Sequence, residues 1–202
     1  MKQIICFFDG CCEPTNPNGA MGIGAIVKVD GEGKMFHADY IKAATGNTNN
    51  IAEYLALEKC IDFLLEEKLD ADDIAIHGDS QLAIRQMIGE YGMNSGAYIP
   101  HAQRCLTKIA SFRKPPKFVW IPREQNAEAD NLSKKYLIEN NIPIAKRGAE
   151  TDVLMFGKYK GTPISAITDM SYLKWMLREA KVKPYLQAAI EKRISEYEHL
   201  AK

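Results

Sequence analysis

The 202-residue sequence lacks the features that mark membrane, secreted and zinc-thiolate proteins. Its longest apolar runs, such as residues 4–8 and 23–27, are far shorter than the ~20 residues that cross a bilayer. No basic-then-apolar leader opens the chain. The five cysteines are odd in number and show no Cys-x-x-Cys spacing, which argues against a disulfide framework and a zinc site. We therefore expect a cytoplasmic protein with reduced thiols and no membrane contact.

The chain also lacks an excess of charge of either sign, with 26 Lys and Arg against 26 Asp and Glu. The balance is slightly uneven, at +3 for residues 147–202 (10 against 7) and −3 for residues 1–146 (16 against 19). Such a small asymmetry does not by itself indicate nucleic-acid binding. The length fits one domain, or one domain with a small appendage, and no obligate protein partner is predicted.

Hydrophobic periodicity predicts a mixed α/β domain. Residues 51–64 have helical spacing after the capping sequence Thr48-Asn49-Asn50, whereas apolar β-branched runs indicate strands. The predicted strands are 2–8, 23–29, 34–41, 74–77 and 118–121, and further helices are predicted for 81–88, 102–112 and 127–139. This order predicts a five-stranded mixed sheet, three antiparallel strands followed by two parallel ones, flanked by helices.

Four carboxylates fall at the ends of these elements. Asp9 is predicted to end the first strand and Asp79 the fourth, while Glu53 and Asp130 lie in the first turns of two helices. A carboxylate beside an apolar strand is costly unless a cation or a donor meets it. Several carboxylates without His or Cys suit hard cations such as Mg²⁺ or Mn²⁺.

Each acid also has a purely structural interpretation. Asp9-Gly10 is a common turn pair, and Asp79-Ser80 is suited to capping a helix. Glu53 and Asp130 would interact favourably with helix dipoles. The sequence pattern alone leaves open whether the four side chains meet in space.

Four motifs, in order, resemble the type 1 ribonuclease H family over roughly residues 1–140. They are Phe8-Asp9-Gly10 with Asn16-Pro17, Thr48-Asn49-Asn50-Ile51-Ala52-Glu53, Asp79-Ser80-Gln81 and Asn126-Ala127-Glu128-Ala129-Asp130. The resemblance implies the ribonuclease H-like fold and metal-dependent hydrolysis of RNA paired to DNA. It implies two Mg²⁺ or Mn²⁺ ions held by Asp9, Glu53, Asp79 and Asp130, and products with 5′-phosphate and 3′-hydroxyl ends.

The resemblance also implies contacts to the hybrid. Asn16, Asn49, Asn50 and Gln81 match family positions at the minor groove, where 2′-hydroxyls distinguish RNA from DNA. Asn49 and Asn50 would alternatively only cap their helix.

Two departures set this chain apart from many bacterial members. The loop before Asp130 has no His and resembles the archaeal-type branch, with Arg123 as a phosphate contact or a surface ion pair. The basic protrusion is also absent, because residues 87–100 carry only one charge. The loss of that protrusion predicts weak binding by the catalytic domain alone.

The C-terminal residues are predicted to form a separate module. We expect a catalytic domain at 1–141, a linker at 142–151 and a small β-α-α unit at 152–202, with a strand at 153–159 and helices at 170–180 and 184–200. Residues 156–163, Phe-Gly-Lys-Tyr-Lys-Gly-Thr-Pro, followed by Tyr172-Leu173-Lys174-Trp175, resemble a small module of exodeoxyribonuclease X-like proteins. Lys158 and Lys160 would then contact phosphates of the hybrid, or alternatively be ordinary surface lysines. Helical spacing assigns Tyr172, Trp175 and Met176 to the core.

Three functions are compatible with the sequence of the whole chain. A hybrid-specific ribonuclease H agrees best with the four motifs. A 3′→5′ exonuclease of the same fold and a non-catalytic nucleic-acid-binding module are the alternatives. The presence of all four carboxylates argues against the binding module.

Overall fold

The computed structural model describes residues 2–144, 154, 156–179, 182 and 184–200. The chain divides into two compact units, Met1–Ala145 and Lys146–Lys202. Ile142 and Ile144 pack against Cys11 and Leu137, so the first unit continues past residue 141 into the predicted linker. The rest of that linker, residues 145–151, lies outside the described residues.

The first unit contains a five-stranded sheet. Its strands are β1 (Gln3–Glu13), β2 (Ala20–Val29), β3 (Glu32–Ile41), β4 (Asp73–Gly78) and β5 (Lys117–Trp120). Their order in the sheet is β3-β2-β1-β4-β5. β1, β2 and β3 pair antiparallel, whereas β4 pairs parallel to both β1 and β5. The predicted fold class is confirmed.

Four helices flank this sheet: α1 (Asn49–Glu66), α2 (Gln81–Met87), α3 (Ile99–Ala110) and α4 (Ala127–Glu139). The hydroxyl of Thr48 accepts a hydrogen bond from the Ile51 N–H and caps α1, as the sequence predicts. The buried side of α1 packs on Ile4, Cys6 and Phe8 of β1 in the main hydrophobic core. These alternate residues of β1 share one face of the sheet, so the intervening residues face the other way.

The position of Asp9 differs from the prediction. β1 runs past it to Glu13, so Asp9 lies inside a strand and not at its end. The strand continues because β2 pairs with it along its whole length, with Asp9 opposite Gly24. Only the parallel pairing with β4 stops nearby, at Phe7 and His77. The Asp9-Gly10 pair therefore forms no turn.

The second unit is built around its own small core. Its helices are α5 (Met170–Glu179) and α6 (Pro184–Leu200). Its buried apolar side chains are Leu154, Ile164, Ile167, Leu173, Met176, Leu186 and Ile190. The predicted strand at 153–159 is wrong for residues 156–159, which form bends and a turn, although Leu154 pairs with the backbone of Gly161 and Thr162.

One core assignment in this unit is also wrong. Met176 is fully buried and Tyr172 is half-buried, but Trp175 is 46% exposed. The helical spacing groups the three side chains, but Trp175 lies on the rim of the apolar face. Within the described ranges, no helix is long and apolar enough to cross a membrane.

Candidate active site

Asp9 and Asp79 come together at one end of the parallel strand pair. In the β1–β4 register, Phe7 lies beside His77. Two residues further along each strand are Asp9 and Asp79, and Asp79 follows the last residue of β4. The sheet therefore places two carboxylates from distant parts of the sequence next to each other. The electrostatic influence of Asp79 on Asp9 agrees with this placement.

Glu53 reaches the same region because β1 and α1 approach very closely. A Cβ atom added to Gly10 would lie 2.2 Å from the Glu53 backbone nitrogen and 2.2 Å from the Ala52 carbonyl carbon. Only glycine allows this contact. The start of α1 therefore lies against the residue that follows Asp9, with Glu53 half-buried there.

Two glycines of β2 allow α4, the helix that carries Asp130, to lie close to the sheet. A Cβ atom at Gly22 would lie 1.8 Å from the Ser133 carbonyl oxygen, and one at Gly24 would lie 2.3 Å from the Ala129 carbonyl oxygen. The α4 backbone therefore rests directly on the sheet opposite Asp9. Side chains at these two positions would push α4, and Asp130 with it, away from the other carboxylates.

Two buried polar side chains fix the carboxylates in place. Ser133 Oγ, fully buried, lies 2.5 Å from Asp9 Oδ2 as a donor and 2.9 Å from the Asp130 carbonyl oxygen. Asn126, 1% exposed, donates through Nδ2 to the Phe8 carbonyl oxygen at 2.9 Å and to Asp79 Oδ1 at 2.8 Å. Asn126 therefore joins the middle of β1 to Asp79, while Ser133 joins α4 to Asp9.

The cluster carries a surplus of negative charge around Asp9. The pKa of the Asp9 carboxyl is raised to about 6, mainly by burial and in addition by the nearby charges of Asp79 and Asp130. The hydrogen bond from Ser133 and the charge of Arg123 act in the opposite direction. A cation near Asp9 would relieve this repulsion.

Asp130 is engaged by cations of the chain itself. Arg123 Nη2 contacts Asp130 Oδ1, and Lys134 Nζ, one turn further along α4, contacts Asp130 Oδ2. Over the residues the structure describes, no group of three or more His, Cys, Asp or Glu side chains is arranged to hold a metal ion. With its two oxygens facing these cations, Asp130 would have to turn away from them to take part in metal binding.

The residues present nevertheless fit a hard divalent cation by their chemistry. The site offers carboxylate oxygens from Asp9, Asp79 and Asp130, with Glu53 beside Gly10, and such oxygens are the ligands that Mg²⁺ and Mn²⁺ prefer. Asp9 is almost completely buried among like charges, a position that a divalent cation would stabilise.

The predicted minor-groove residues fall into two places. The Asn49 N–H donates to Asn16 Oδ1 at 3.1 Å, and Asn49 Oδ1 accepts from the Cys12 N–H at 2.6 Å. These bonds join the 14–19 loop, β1 and the start of α1, and Asn50 follows half-buried. Gln81 is exposed at the first residue of α2, two residues after Asp79.

Lys158 and Lys160 lie in the second unit, on an exposed turn. Lys158 Nζ is 2.9 Å from Asp169 Oδ2, an ion pair on the surface. The hydroxyl of Tyr159 also donates to Asp169 Oδ2, at 3.0 Å. Lys158 is thus partly neutralised within its own unit, whereas Lys160 is an exposed cation.

The positioning roles of Asn126 and Ser133 were not predicted from the sequence. Asn126 stands in the quoted motif before Asp130, and that position was the available signal. No comparable signal singled out Ser133 or Gly22, because their partners lie more than 100 residues away along the chain.

Comparison with solved structures relates this site to known proteins. LC11-RNase H1, isolated from compost by a metagenomic approach, is 29% identical with a TM-score of 0.62, covering 70% of this chain and 99% of that one. A structure of LC11-RNase H1 in complex with an RNA/DNA hybrid gives 28% identity and a TM-score of 0.61, covering 68% and 99%. RNase H1 from the archaeon Halobacterium salinarum is 28% identical with a TM-score of 0.58, covering 68% and 98%.

Curated relatives match over part of their length. The uncharacterized protein YpeP of Bacillus subtilis is 26% identical over 150 residues, which are 72% of this chain and 66% of YpeP. The bifunctional protein Rv2228c of Mycobacterium tuberculosis is 30% identical over 118 residues, 58% of this chain and 31% of that protein. The chain thus spans less than two thirds of either relative. The family model described as reverse transcriptase-like matches residues 7–136, a range that is well over half of the chain and that includes the four carboxylates. The chain belongs to this reverse transcriptase-like, ribonuclease H-like family.

Proposed function

We propose that the protein is an endoribonuclease that hydrolyses the RNA strand of RNA/DNA hybrids with two Mg²⁺ or Mn²⁺ ions, leaving 5′-phosphate and 3′-hydroxyl ends. The observation that carries the proposal is the convergence of Asp9, Asp79 and Asp130, with Glu53 beside them, at one end of the sheet. The solved complex of LC11-RNase H1 with a hybrid supports the choice of substrate.

The proposed roles of the chain's residues follow from their positions. Asp9, Glu53, Asp79 and Asp130 would hold the two ions. When bound, such ions activate a water molecule and stabilise the leaving oxygen of a phosphodiester. Ser133 would keep Asp9 oriented through its 2.5 Å hydrogen bond, and Asn126 would hold Asp79 against β1.

Arg123 would change partners when substrate binds. In the free protein it contacts Asp130. With Asp130 turned toward the metal ions, the Arg123 guanidinium would be released to pair with a phosphate of the RNA strand. This exchange would account for a site without the usual His in the loop before Asp130.

The hybrid would lie along the exposed polar residues around the carboxylates. The side-chain NH₂ groups of Asn16, Asn49, Asn50 and Gln81 are donors that suit the 2′-hydroxyls of the minor groove. The hydrogen bonds of Asn16 and Asn49 described above use their oxygens, which leaves those NH₂ groups for substrate. Lys158 and Lys160 of the second unit would add contacts to phosphates.

Cleavage of a uniformly labelled RNA/DNA hybrid tests the proposal. The wild-type protein should produce internal RNA cuts with Mg²⁺ or Mn²⁺ and none with EDTA. Asp9→Asn should reduce the rate at least about 1,000-fold, because it removes the central anionic ligand of the site. Asp39→Asn, which neutralises an exposed carboxylate on β3, is the matched control and should keep the wild-type rate.

Duplex DNA, run in parallel, separates the alternatives. Stepwise loss of nucleotides from a 3′ DNA end would favour an exonuclease of the same fold. Hybrid binding without metal-dependent cleavage would indicate a non-catalytic module. A cytoplasmic location stays a prediction based on the five cysteines, all of which are free and buried.

A further inference from the structure

The second unit carries large aromatic side chains on its surface. Phe156 is 43% exposed and Trp175 is 46% exposed, although this unit also has a well-formed core that includes Leu173 and Met176. The core of the unit is therefore complete without the ring of Trp175. The Trp175 indole is also not a single scattered apolar residue, because it lies against the ring of Tyr172, with the ring centroids 5.7 Å apart.

The outer face of α5 combines this indole with positive charge. Ser171, Lys174, Trp175 and Arg178 are all exposed, and their spacing of three, one and three residues places them on one side of the helix. The opposite side holds the buried Leu173 and Met176. The solvent face of α5 thus presents an aromatic ring between two cations.

Hydrogen bonds and ring contacts join α5 to the 156–160 turn. The hydroxyl of Tyr172 accepts the Lys158 N–H at 3.2 Å. The Tyr172 ring lies 5.7 Å from the Trp175 ring and 5.1 Å from the Tyr159 ring, centroid to centroid. Gly157 permits this contact, since a Cβ atom there would lie 2.2 Å from the Tyr172 hydroxyl. Turn and helix therefore form one continuous surface.

This surface, which we call the aromatic–basic face, consists of Phe156, Lys158, Lys160, Tyr172, Lys174, Trp175 and Arg178. Across residues 156–178 there are four cations and one acid, Asp169. That acid is already engaged by Lys158 and by the hydroxyl of Tyr159. The net charge of +3 over these residues (4 − 1) favours an anionic partner.

The combination of exposed rings and cations favours an unpaired nucleic-acid strand over a duplex. In a duplex the bases are stacked on one another, so their π-faces are covered along its length. In a single strand each base has a free π-face, and binding proteins use aromatic side chains and a basic groove to hold it. Cations alone would suffice for a duplex and would leave the exposed Trp175 without a role.

We propose that the aromatic–basic face binds a single strand of nucleic acid, with a base stacked on Trp175 and phosphates on Lys158, Lys160 and Arg178. Lys158 and Lys160 would contact phosphates of a hybrid and of a single strand alike, whereas stacking on Trp175 is open only to the unpaired strand, so this binding does not depend on cleavage by the first unit. In a substrate with an unpaired tail, the second unit would hold the tail.

Binding of labelled oligonucleotides to the full-length protein tests this inference. The probes are single-stranded oligo-dT and oligo-rU of about 12 nucleotides, a length within the site sizes of single-strand binders. A blunt hybrid of the same length is the third probe, and EDTA prevents cleavage. Trp175→Ala should weaken oligo-dT and oligo-rU binding about tenfold, because one stacked base is lost. Its effect on the blunt hybrid should be less than about twofold.

Two further variants test whether the loss of single-strand affinity comes from the aromatic ring at position 175. Trp175→Phe keeps an aromatic ring and should restore most of the single-strand affinity. Tyr197→Ala is the matched control, because Tyr197 is an exposed aromatic residue of α6, outside the aromatic–basic face, and lies between two glutamates in the sequence. It should leave all three affinities unchanged.

Tryptophan fluorescence provides a direct reading of stacking. The chain has two tryptophans, so Trp120→Phe leaves Trp175 as the only one. Oligo-dT should quench its emission in a saturable manner, over the same concentrations as it binds. Binding without any quenching would contradict the stacking contact.

The outcomes separate this inference from the proposed function. Single-strand affinity unchanged by Trp175→Ala, or equal losses for single strand and hybrid, would overturn the inference even if the protein cleaves hybrids. A selective loss in Trp175→Ala would support it even if no hybrid is cleaved.

Discussion

The two units hold their ionisable groups in opposite ways. In the first unit Asp9 is buried beneath α4, and the hydroxyl of Ser133 holds its carboxylate. In the described part of the second unit, Lys158 and Asp169 form an ion pair at the surface, outside the small apolar core. A buried charge needs the surrounding packing to hold its partners in place, whereas a surface charge needs little support. Mutations should therefore act through the fold in the first unit and through local contacts in the second.

The largest effect should come from filling the space between β2 and α4. Gly22→Ala would place a Cβ atom against the Ser133 carbonyl oxygen, a backbone atom that cannot turn aside. We expect a loss of about 3 kcal/mol or more in the free energy of unfolding, together with loss of cleavage. Urea denaturation followed by circular dichroism would measure it.

Gly92→Ala provides the control for this experiment. A Cβ atom at Gly92 would meet only the side chain of Asn94, at 3.1 Å, and that side chain can move. Its stability should stay within about 0.5 kcal/mol of wild type. Equal stability of the Gly22 and Gly92 variants would contradict the close packing of α4 on the sheet.

The buried charge of Asp9 predicts a pH-dependent stability of the metal-free protein. Folding raises the pKa of this carboxyl from 3.8 to about 6, so the folded state holds the proton more tightly than the unfolded state. The resulting stabilisation is complete below about pH 4 and is lost as the pH rises to about 6. The shift of about two units corresponds to about 3 kcal/mol as an order of magnitude.

Asp9→Asn isolates this contribution. The stability of the variant relative to wild type should increase between pH 4 and pH 6 and then stay constant up to pH 8. Chemical denaturation in EDTA at several pH values would measure the difference. If the difference in the free energy of unfolding does not change with pH, burial destabilises the charged form of Asp9 less than its surroundings indicate.

A smaller effect should follow loss of the hydroxyl that orients Asp9. Ser133→Ala removes the hydrogen bond to Asp9 without changing the charge of the site. Because residues that hold metal ligands typically contribute 10–100-fold, we expect a loss of roughly tenfold or more in rate or in apparent Mg²⁺ affinity. Cleavage rates measured over a series of Mg²⁺ concentrations would separate the two.

Ser111→Ala is the matched control for Ser133. Its hydroxyl also donates to a backbone carbonyl, that of Lys108 at 2.6 Å, but it lies at the exposed end of α3. The rate and the Mg²⁺ dependence of this variant should equal those of wild type. Wild-type behaviour of Ser133→Ala as well would remove Ser133 from the group of positioning residues.

The smallest effect is expected from the surface lysines of the second unit. Lys158→Ala/Lys160→Ala should weaken hybrid binding by roughly three- to tenfold and flatten its dependence on salt, because up to two phosphate contacts are lost. Lys34→Ala/Lys117→Ala removes two exposed lysines at the opposite end of the sheet from Asp79 and should have no effect. Unchanged binding of the first double variant would exclude these lysines as hybrid contacts.

Local signals in the sequence predicted most of the first unit's elements. Thr48 caps α1 as expected, and α4 has the predicted bounds Ala127–Glu139. The prediction for β1 was too short, because Asp9-Gly10 is a turn pair by composition and only pairing with β2 keeps it extended. Trp175 was assigned to the core because helical spacing defines a face but does not show how far the core extends.

The candidate site likewise contains residues that the sequence identified and residues that only the structure identified. The motifs named the four carboxylates, but the roles of Asn126 and Ser133 appear only in their contacts with Asp79 and Asp9. In the sequence alone, Asn126 is an ordinary residue at the start of a helix and Ser133 an ordinary residue in its interior. Contacts between residues distant in sequence leave no periodic pattern along the chain.

The sequence by itself therefore determined most of the first unit's helices and strands, the mixed class of its sheet and the identity of the acids. It could do so because capping, alternation and helical spacing are local properties. Only the tertiary structure decided that β1 continues past Asp9, that α4 rests on Gly22 and Gly24, and that Trp175 faces solvent. The physical reason is that close packing depends on which surfaces meet. Two backbones can approach this closely only where one of them lacks a side chain at the contact, as β2 does at Gly22 and Gly24.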